Sequence, residues 1–253
     1  MSGLNYIDIH AHLNSVDFDL DREVIIKKMV AEGVGAINVG TDLLNSRQAV
    51  VLAASNQYLW AVVGIHPHEA DQDHDWVELT SLANKTKVVA IGECGLDYFK
   101  LSDKSVKQKQ KELFVRQIEL ALAVKKPLML HIRDSYTDVL DILKAYPEIR
   151  THAHFFAGDW SIAKKFIDRG DTISFTGVIT FTSQYNEVIE KAPLDCLLAE
   201  TDCPFVAPVP FRGQRNDPTT VSLIVEKIAT IRKDNQEIIR QAMLKNAIRV
   251  FNL

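Results

Sequence analysis

Ile7-Asp8-Ile9-His10-Ala11-His12 reads as a strand that runs into a pair of histidines. Side chains at i, i+2 and i+4 of a strand share one face. Asp8, His10 and His12 are therefore expected to point one way, and Ile7, Ile9 and Ala11 the other. Two imidazoles about 7 Å apart along the backbone can converge on one divalent cation. A hydrogen-bonded histidine pair is the plainer alternative, but an acidic residue two positions ahead favours a metal site.

Working outward from this stretch, apolar runs of strand length recur at 6–10, 35–39, 60–65, 88–92, 128–131, 151–154, 172–175 and 196–200. Helical patterns fill the intervals at 22–32, 46–55, 76–83, 107–124, 137–145, 161–169 and 186–191, and two more follow at 219–232 and 236–251. Phe114, Ile118, Ala121 and Leu122 show the three- and four-residue spacing of a half-buried helix. The strands are mostly continuous apolar runs, which suits a parallel sheet covered by helices. Repeated β-then-α units in this length predict an α/β fold, a (β/α)₈ TIM barrel, distorted and with an extra C-terminal helix. No Ser/Gly-rich tract, charge block or low-complexity run interrupts the chain, so residues 1–253 are expected to form a single domain.

The composition narrows the function. Of 253 residues, 47% are hydrophobic and 25% charged, ample for a large core. A net charge of −4 excludes a broad cationic surface, so any nucleic acid is held by a local grip. Cys94, Cys196 and Cys203 have no paired spacing, and no leader or membrane-spanning run is apparent. A reducing cytoplasmic setting is the expectation.

In a barrel of this kind the chemistry sits where strands end and βα loops begin. His66 and His68 lie where the third strand ends at Pro67, with His66 read as a supporting or substrate contact. Glu93 follows the fourth strand among small neighbours; a carboxylate there can bridge two cations. Asp97 is expected either to orient a neighbour or to cap its loop, and Cys94 to point away from Glu93. His131 ends the fifth strand, and Arg133 shares its face and suits a phosphate oxygen. On the sixth strand His154 is the expected ligand and His152, one layer deeper, a structural residue. On the eighth, Asp202 can bind a metal and take a proton from water, with Glu200 as hydrogen-bonding support. Imidazole and carboxylate together suit zinc, manganese, iron or, with more water, magnesium.

The segments DIHAHL, VGIHPHEA, AIGECGLDY, PLMLHIRD, HAHFFAG, LAETDCPF and FRGQRNDP occur in the order found in TatD-family metal-dependent deoxyribonucleases, within the amidohydrolase-like barrels, and the chain resembles that family along nearly its whole length. The resemblance implies two divalent cations, with His10, His12, Glu93 and Asp202 around one and Glu93, His131 and His154 around the other. Arg212 and Asn216 match the family's RGxxN segment, close to the site, and Lys245-Asn246-Ala247 up to Phe251 matches its closing helix. Cys94, Phe155, Ala157 and Cys203 depart from the family's usual residues without removing a ligand; of these, Phe155 and Cys203 bear on pocket shape or metal preference, and so on substrate choice.

The resulting expectation is a metal-dependent phosphodiesterase acting on DNA, 3'-5' exonuclease-like on single-stranded ends. Asp202 would shuttle the proton; Arg133, Arg212 and Arg215 would hold neighbouring phosphates. Two rival expectations are an amidohydrolase or lactonase acting on a small cyclic substrate and a metal-stabilised binding protein without turnover. Many barrels of the former kind bridge their metals with a modified lysine, and no strand end here offers one. Structural metal sites close their coordination with protein ligands, which a complete ligand set beside a free Asp202 does not suggest.

Overall fold

The computed structural model describes residues 3–253. One parallel sheet runs in sequence order through β1 (Tyr6–Ala11), β2 (Val34–Val39), β3 (Leu59–Val63), β4 (Val88–Asp97), β5 (Leu128–Arg133), β6 (Thr151–Ala153), β7 (Thr172–Phe175) and β8 (Leu197–Ala199). The helices are α1 (Arg22–Ala31), α2 (Leu43–Ser55), α3 (Trp76–Ala83), α4 (Lys104–Val124), α5 (Tyr136–Leu143), α6 (Trp160–Asp168), α7 (Asn186–Lys191), α8 (Val221–Arg232) and α9 (Gln236–Phe251). This is a (β/α)₈ barrel with α9 as an additional C-terminal helix. Helices α2 and α4 start three residues earlier than their apolar periods do. Asp42 accepts from the Asn45 N–H and Asp103 from the Ser105 N–H, so side-chain caps set the starts.

The barrel closes unevenly. Among the described residues, β1 and β8 meet through a bridge between Ala11 and Cys203, beyond the end of β8. The Asp202 N–H donates to the His10 carbonyl and the His12 N–H to the Cys203 carbonyl, both at 2.9 Å. Buried Asp8 reinforces the seam, accepting from the Thr201 N–H at 2.9 Å and its hydroxyl at 2.5 Å. At the opposite end α9 packs on β1 and β8. There Asn246 donates to the Leu194 and Leu197 carbonyls at 2.8 and 2.9 Å. Phe251 and Ala247 join Ile7, Ile37, Val62, Met129 and Leu198 in one apolar cluster.

Two departures from simple alternation shape the site. The β1–β2 register shifts between Asp8 and Ala11. Ile7 and Ile9 accordingly belong to the inner apolar cluster, while Ala11 joins the cluster packed against the helices. Asp8 therefore does not share the face of His10 and His12 as the sequence suggested. The bulge turns it to the seam. Likewise β4 runs through Asp97 instead of stopping at Gly92, with a register shift between Ile91 and Cys94. Gly95 makes that extension possible. It has φ +138°, and a Cβ there would stand 2.1 Å from the His131 carbonyl oxygen. Only glycine lets β4 lie this close to β5.

Candidate metal centre

The six expected ligands converge at the C-terminal end of the strands. Glu93 stands at their middle, and its two oxygens face different partners. Oε2 lies 3.4 Å from His10 Nε2 and 3.9 Å from His12 Nε2. Oε1 lies 2.7 Å from His131 Nδ1 and 2.8 Å from His154 Nε2. Asp202 Oδ1 completes the first half, 3.5 Å from His12 Nε2 and 3.8 Å from His10 Nε2. His10 and His12 direct their Nε2 atoms at each other, 3.2 Å apart.

His12 and His131 are held from behind by hydrogen bonds. His12 Nδ1 lies 3.1 Å from the Val39 carbonyl. A carbonyl can only accept, so Nδ1 carries a proton and Nε2 is the nitrogen that faces the site. His131 Nε2 meets Asp97 Oδ2 at 3.0 Å, and His68 Nε2 meets the same oxygen at 3.1 Å. Asp97 Oδ1 also accepts from the Phe99 N–H, so Asp97 both orients a neighbour and caps its loop. Glu200 stands behind His10 and His154, 3.9 and 3.7 Å from their Nδ1 atoms, and accepts from the Phe155 N–H. His66 is set by Gln117 of α4, whose amide holds both the N–H and the carbonyl of Ile65 at 2.8 Å. His152 is structural, with its nitrogens 2.8 and 2.7 Å from the Thr172 and Ser174 hydroxyls. The clamp by Gln117 and the shared use of Asp97 by two histidines had no signal in the sequence beyond the acid's position. Cys94 is buried on the helix side.

The electrostatics favour a cation. Burial pushes the Glu93 carboxyl up, but His154, His10 and His131 more than offset this and hold it well below the usual carboxylate range. Asp202 behaves alike: burial raises it, and the contacts with His12 and His10 carry it below its ordinary value. Asp97 sits at about 2, because the His131 and Phe99 hydrogen bonds outweigh burial. Burial depresses His154, yet the charges of Glu93 and Glu200 lift it well above the ordinary imidazole value. His66, with burial dominant, is pushed down to about 3 and stays neutral.

A cavity of about 910 Å³ opens over this cluster. His66 and Arg133 line it together with Glu93, His131, His154 and Asp202. His66 Nε2 is 3.8 Å from Glu93 Oε1. Arg133 stacks its guanidinium 3.6 Å over the Phe99 ring and has no carboxylate partner among the described residues. Arg212 and Arg215 do not line this cavity. Arg212 lies 3.6 Å over Phe181 at the surface. Arg215 is engaged away from the cavity: its guanidinium meets both oxygens of Asp21 and the Asp17 carbonyl. It pins the loop after β8 to the start of α1.

The donor set fits divalent ions. His10, His12 and Asp202 offer atoms within 4.8 Å of one another, as do His10, Glu93 and His154, and also His66, Glu93 and His131. Facing imidazole nitrogens, buried Glu93 and half-buried Asp202, both ionised, form an arrangement that a shared cation relieves. Barrel and site together define a metal-dependent hydrolase. The model of the TatD-related DNases matches residues 7–252, and the chain belongs to that family. It is 38% identical to the uncharacterized metal-dependent hydrolase YabD of Bacillus subtilis, covering 97% of this chain and 98% of that one. It is 34% identical to the 3'-5' ssDNA/RNA exonuclease TatD of Erwinia tasmaniensis, covering 97% and 99%. Among solved structures, the TatD homologue YjjV of Escherichia coli K12 superposes with a TM-score of 0.89 at 31% identity, covering 98% of each chain. Among the described residues no helix is long and apolar enough to cross a membrane.

Proposed function

We propose that the protein is a two-metal phosphodiesterase that removes nucleotides from single-stranded DNA ends, with 3'-5' polarity. The observation that carries this reading is the division of Glu93, one oxygen toward His10 and His12, which Asp202 also faces, and the other toward His131 and His154. Held on either side of that carboxylate, Mg²⁺, Mn²⁺ or Zn²⁺ ions would polarise the phosphoryl group and acidify water. Asp202, kept ionised by its imidazole neighbours, receives the proton released by the attacking water. Arg133, pre-oriented on Phe99 and without a counter-ion, holds the phosphate at the mouth. Neutral His66 touches the substrate beside Glu93.

The strand-end preference follows from charge. Arg133 alone among arginines and lysines lines the cavity, and the net charge is −4, so the grip is short. The relative in Erwinia, named for 3'-5' action on single strands, supports the polarity. The lactonase or amidohydrolase reading is weaker because no strand carries a lysine to bridge metals and Glu93 occupies the bridging place. The test is digestion of end-labelled single and double strands with each metal added, beside a panel of lactones and amides. Stepwise shortening from the 3' end of single strands is expected. Turnover of a lactone or amide with intact DNA would overturn the reading.

A further inference from the structure

Phe205 is an exposed aromatic residue beside the candidate metal centre. It is 58% exposed, yet it lines the cavity, and its ring centroid is 6.4 Å from that of His12 in an edge-on arrangement. An exposed phenylalanine on a loose loop would mean little. This one stands on a fixed backbone. Its N–H donates to the Asp202 carbonyl at 3.0 Å, and buried Asn216 donates from one amide to the Phe205 and Thr201 carbonyls at 2.9 and 3.2 Å. The Asn216 N–H also donates to the Pro204 carbonyl at 3.0 Å. Next in sequence, Val206 lies against Gly177, where a Cβ would come within 2.2 Å of the Val206 carbonyl. A hydrophobic face is thus held rigidly toward solvent, beside a metal ligand.

The rest of the cavity says what would cover that face. Its charged groups other than histidine are Glu69, Glu93, Asp97, Asp202 and a single cation, Arg133. Such a lining does not attract a polyanion by field alone. Single-stranded nucleic acids are otherwise held by stacking their bases on aromatic rings, which works for every base because each has a π-face. A base inside a duplex has both faces covered, and a paired terminal base offers one outer face while staying tied to its partner strand; an unpaired end is free to bring its base to such a ring.

We infer that Phe205 is a stacking platform for the terminal unpaired nucleobase, so that the substrate is recognised by its base and the metals and Arg133 address its phosphate. This rests on the nuclease reading above and deepens it. It makes Phe205 a specificity-determining residue, selecting strand ends whose last base is free.

The test pairs a protein change with a substrate change. Binding of a fluorescent single-stranded oligonucleotide is measured by anisotropy, and its cleavage followed in parallel, for wild type and Phe205→Ala. Each is tested on an ordinary end and on an end whose last nucleotide lacks its base. Phe205→Ala should weaken binding of the ordinary end about 5- to 150-fold, the range of one lost base–aromatic stack, and leave binding of the abasic end unchanged. Phe205→Trp should retain binding, and its added indole emission should be quenched by the ordinary end only. Equal losses on both ends would show that the ring merely supports its loop, and no loss on either would remove it from recognition; both overturn the inference while leaving nuclease action intact. A wild type that neither binds nor cuts any single strand would overturn the nuclease reading and this inference together.

Discussion

The two halves of the centre on either side of Glu93 are built differently. His10, His12 and Asp202 lie across the β1–β8 seam, where the sheet closes through one bridge between Ala11 and Cys203. His131 and His154 belong to the neighbouring β5 and β6 segments of the continuous sheet, where the His154 N–H donates to the Leu130 carbonyl at 3.1 Å. The support behind them differs as well. In the seam half, His12 leans on a neutral backbone carbonyl. In the sheet half, His131 leans on the Asp97 carboxylate, while Glu200 stands between the halves, 3.7 Å from His154 and 3.9 Å from His10. A carboxylate behind an imidazole raises its basicity and fixes its orientation. On the two-metal proposal, the carboxylate behind His131 would make the sheet half the firmer ion holder, and the seam half, with Asp202 at its edge, would carry the chemistry.

The largest effect expected from this contrast is at Asp202. Asp202→Asn keeps the shape and one oxygen ligand but cannot take a proton at neutral pH. Single-turnover cleavage should fall about 10²–10⁴-fold while the sheet half keeps its ion. Near wild-type cleavage would remove Asp202 as the base. Next comes Asp97→Asn, which takes the negative charge from behind His131. Metal affinity in the sheet half should drop about 10–100-fold, read by competition with a chelating dye, with the seam half unaffected. Equal weakening of both halves would erase the distinction. Arg133→Ala should raise the Michaelis constant for DNA on the order of ten-fold, a charge-assisted contact being lost, with metal content constant. Falling metal content at constant KM would make Arg133 structural.

Smaller effects probe the seam and the protons. Asp8→Ala strands the Thr201 N–H and hydroxyl and the His10 N–H without their acceptor. A cost of about 1–3 kcal/mol is expected in denaturant unfolding. An unchanged midpoint would show that the seam does not depend on Asp8. The gentlest probe is pH. Burial depresses His12, His131 and His154, but Asp202 acting on His12, Asp97 and Glu93 on His131, and Glu93 and Glu200 on His154 carry all three above 6.5. In the metal-free protein these imidazoles contribute stability that is complete below 6.5 and fades as pH climbs through the raised values. An incoming ion must displace their protons, so affinity should rise with pH and binding should release protons. Calorimetry in buffers of different ionisation enthalpy reads that release, and none would contradict these charge states.

Much of this was legible because it is local. Strand-length apolar runs gave the barrel order, and each ligand follows such a run at the end where barrels carry chemistry. What escaped is non-local. The bulge that diverts Asp8 depends on β2 pairing, and the length of β4 depends on how closely Gly95 approaches His131. Arg215 was expected at phosphate because its neighbourhood resembles a binding segment. Its partner, Asp21, lies 194 residues away, a pairing no window of sequence contains. Phe205 carries no signal in its own neighbourhood; its fixed placement depends on Asn216, eleven residues on, which holds its carbonyl.

The central claim is that Glu93 joins the two halves by giving each one oxygen. The direct measurement is the number of ions bound per chain in wild type and Glu93→Gln, by elemental analysis of the same samples used for activity. An amide is a poor bridge between cations, while the barrel should survive a change at its rim. Two ions in the wild type are predicted, with occupancy and activity lost together in Glu93→Gln. A folded Glu93→Gln protein that still holds two ions at full activity would contradict the account.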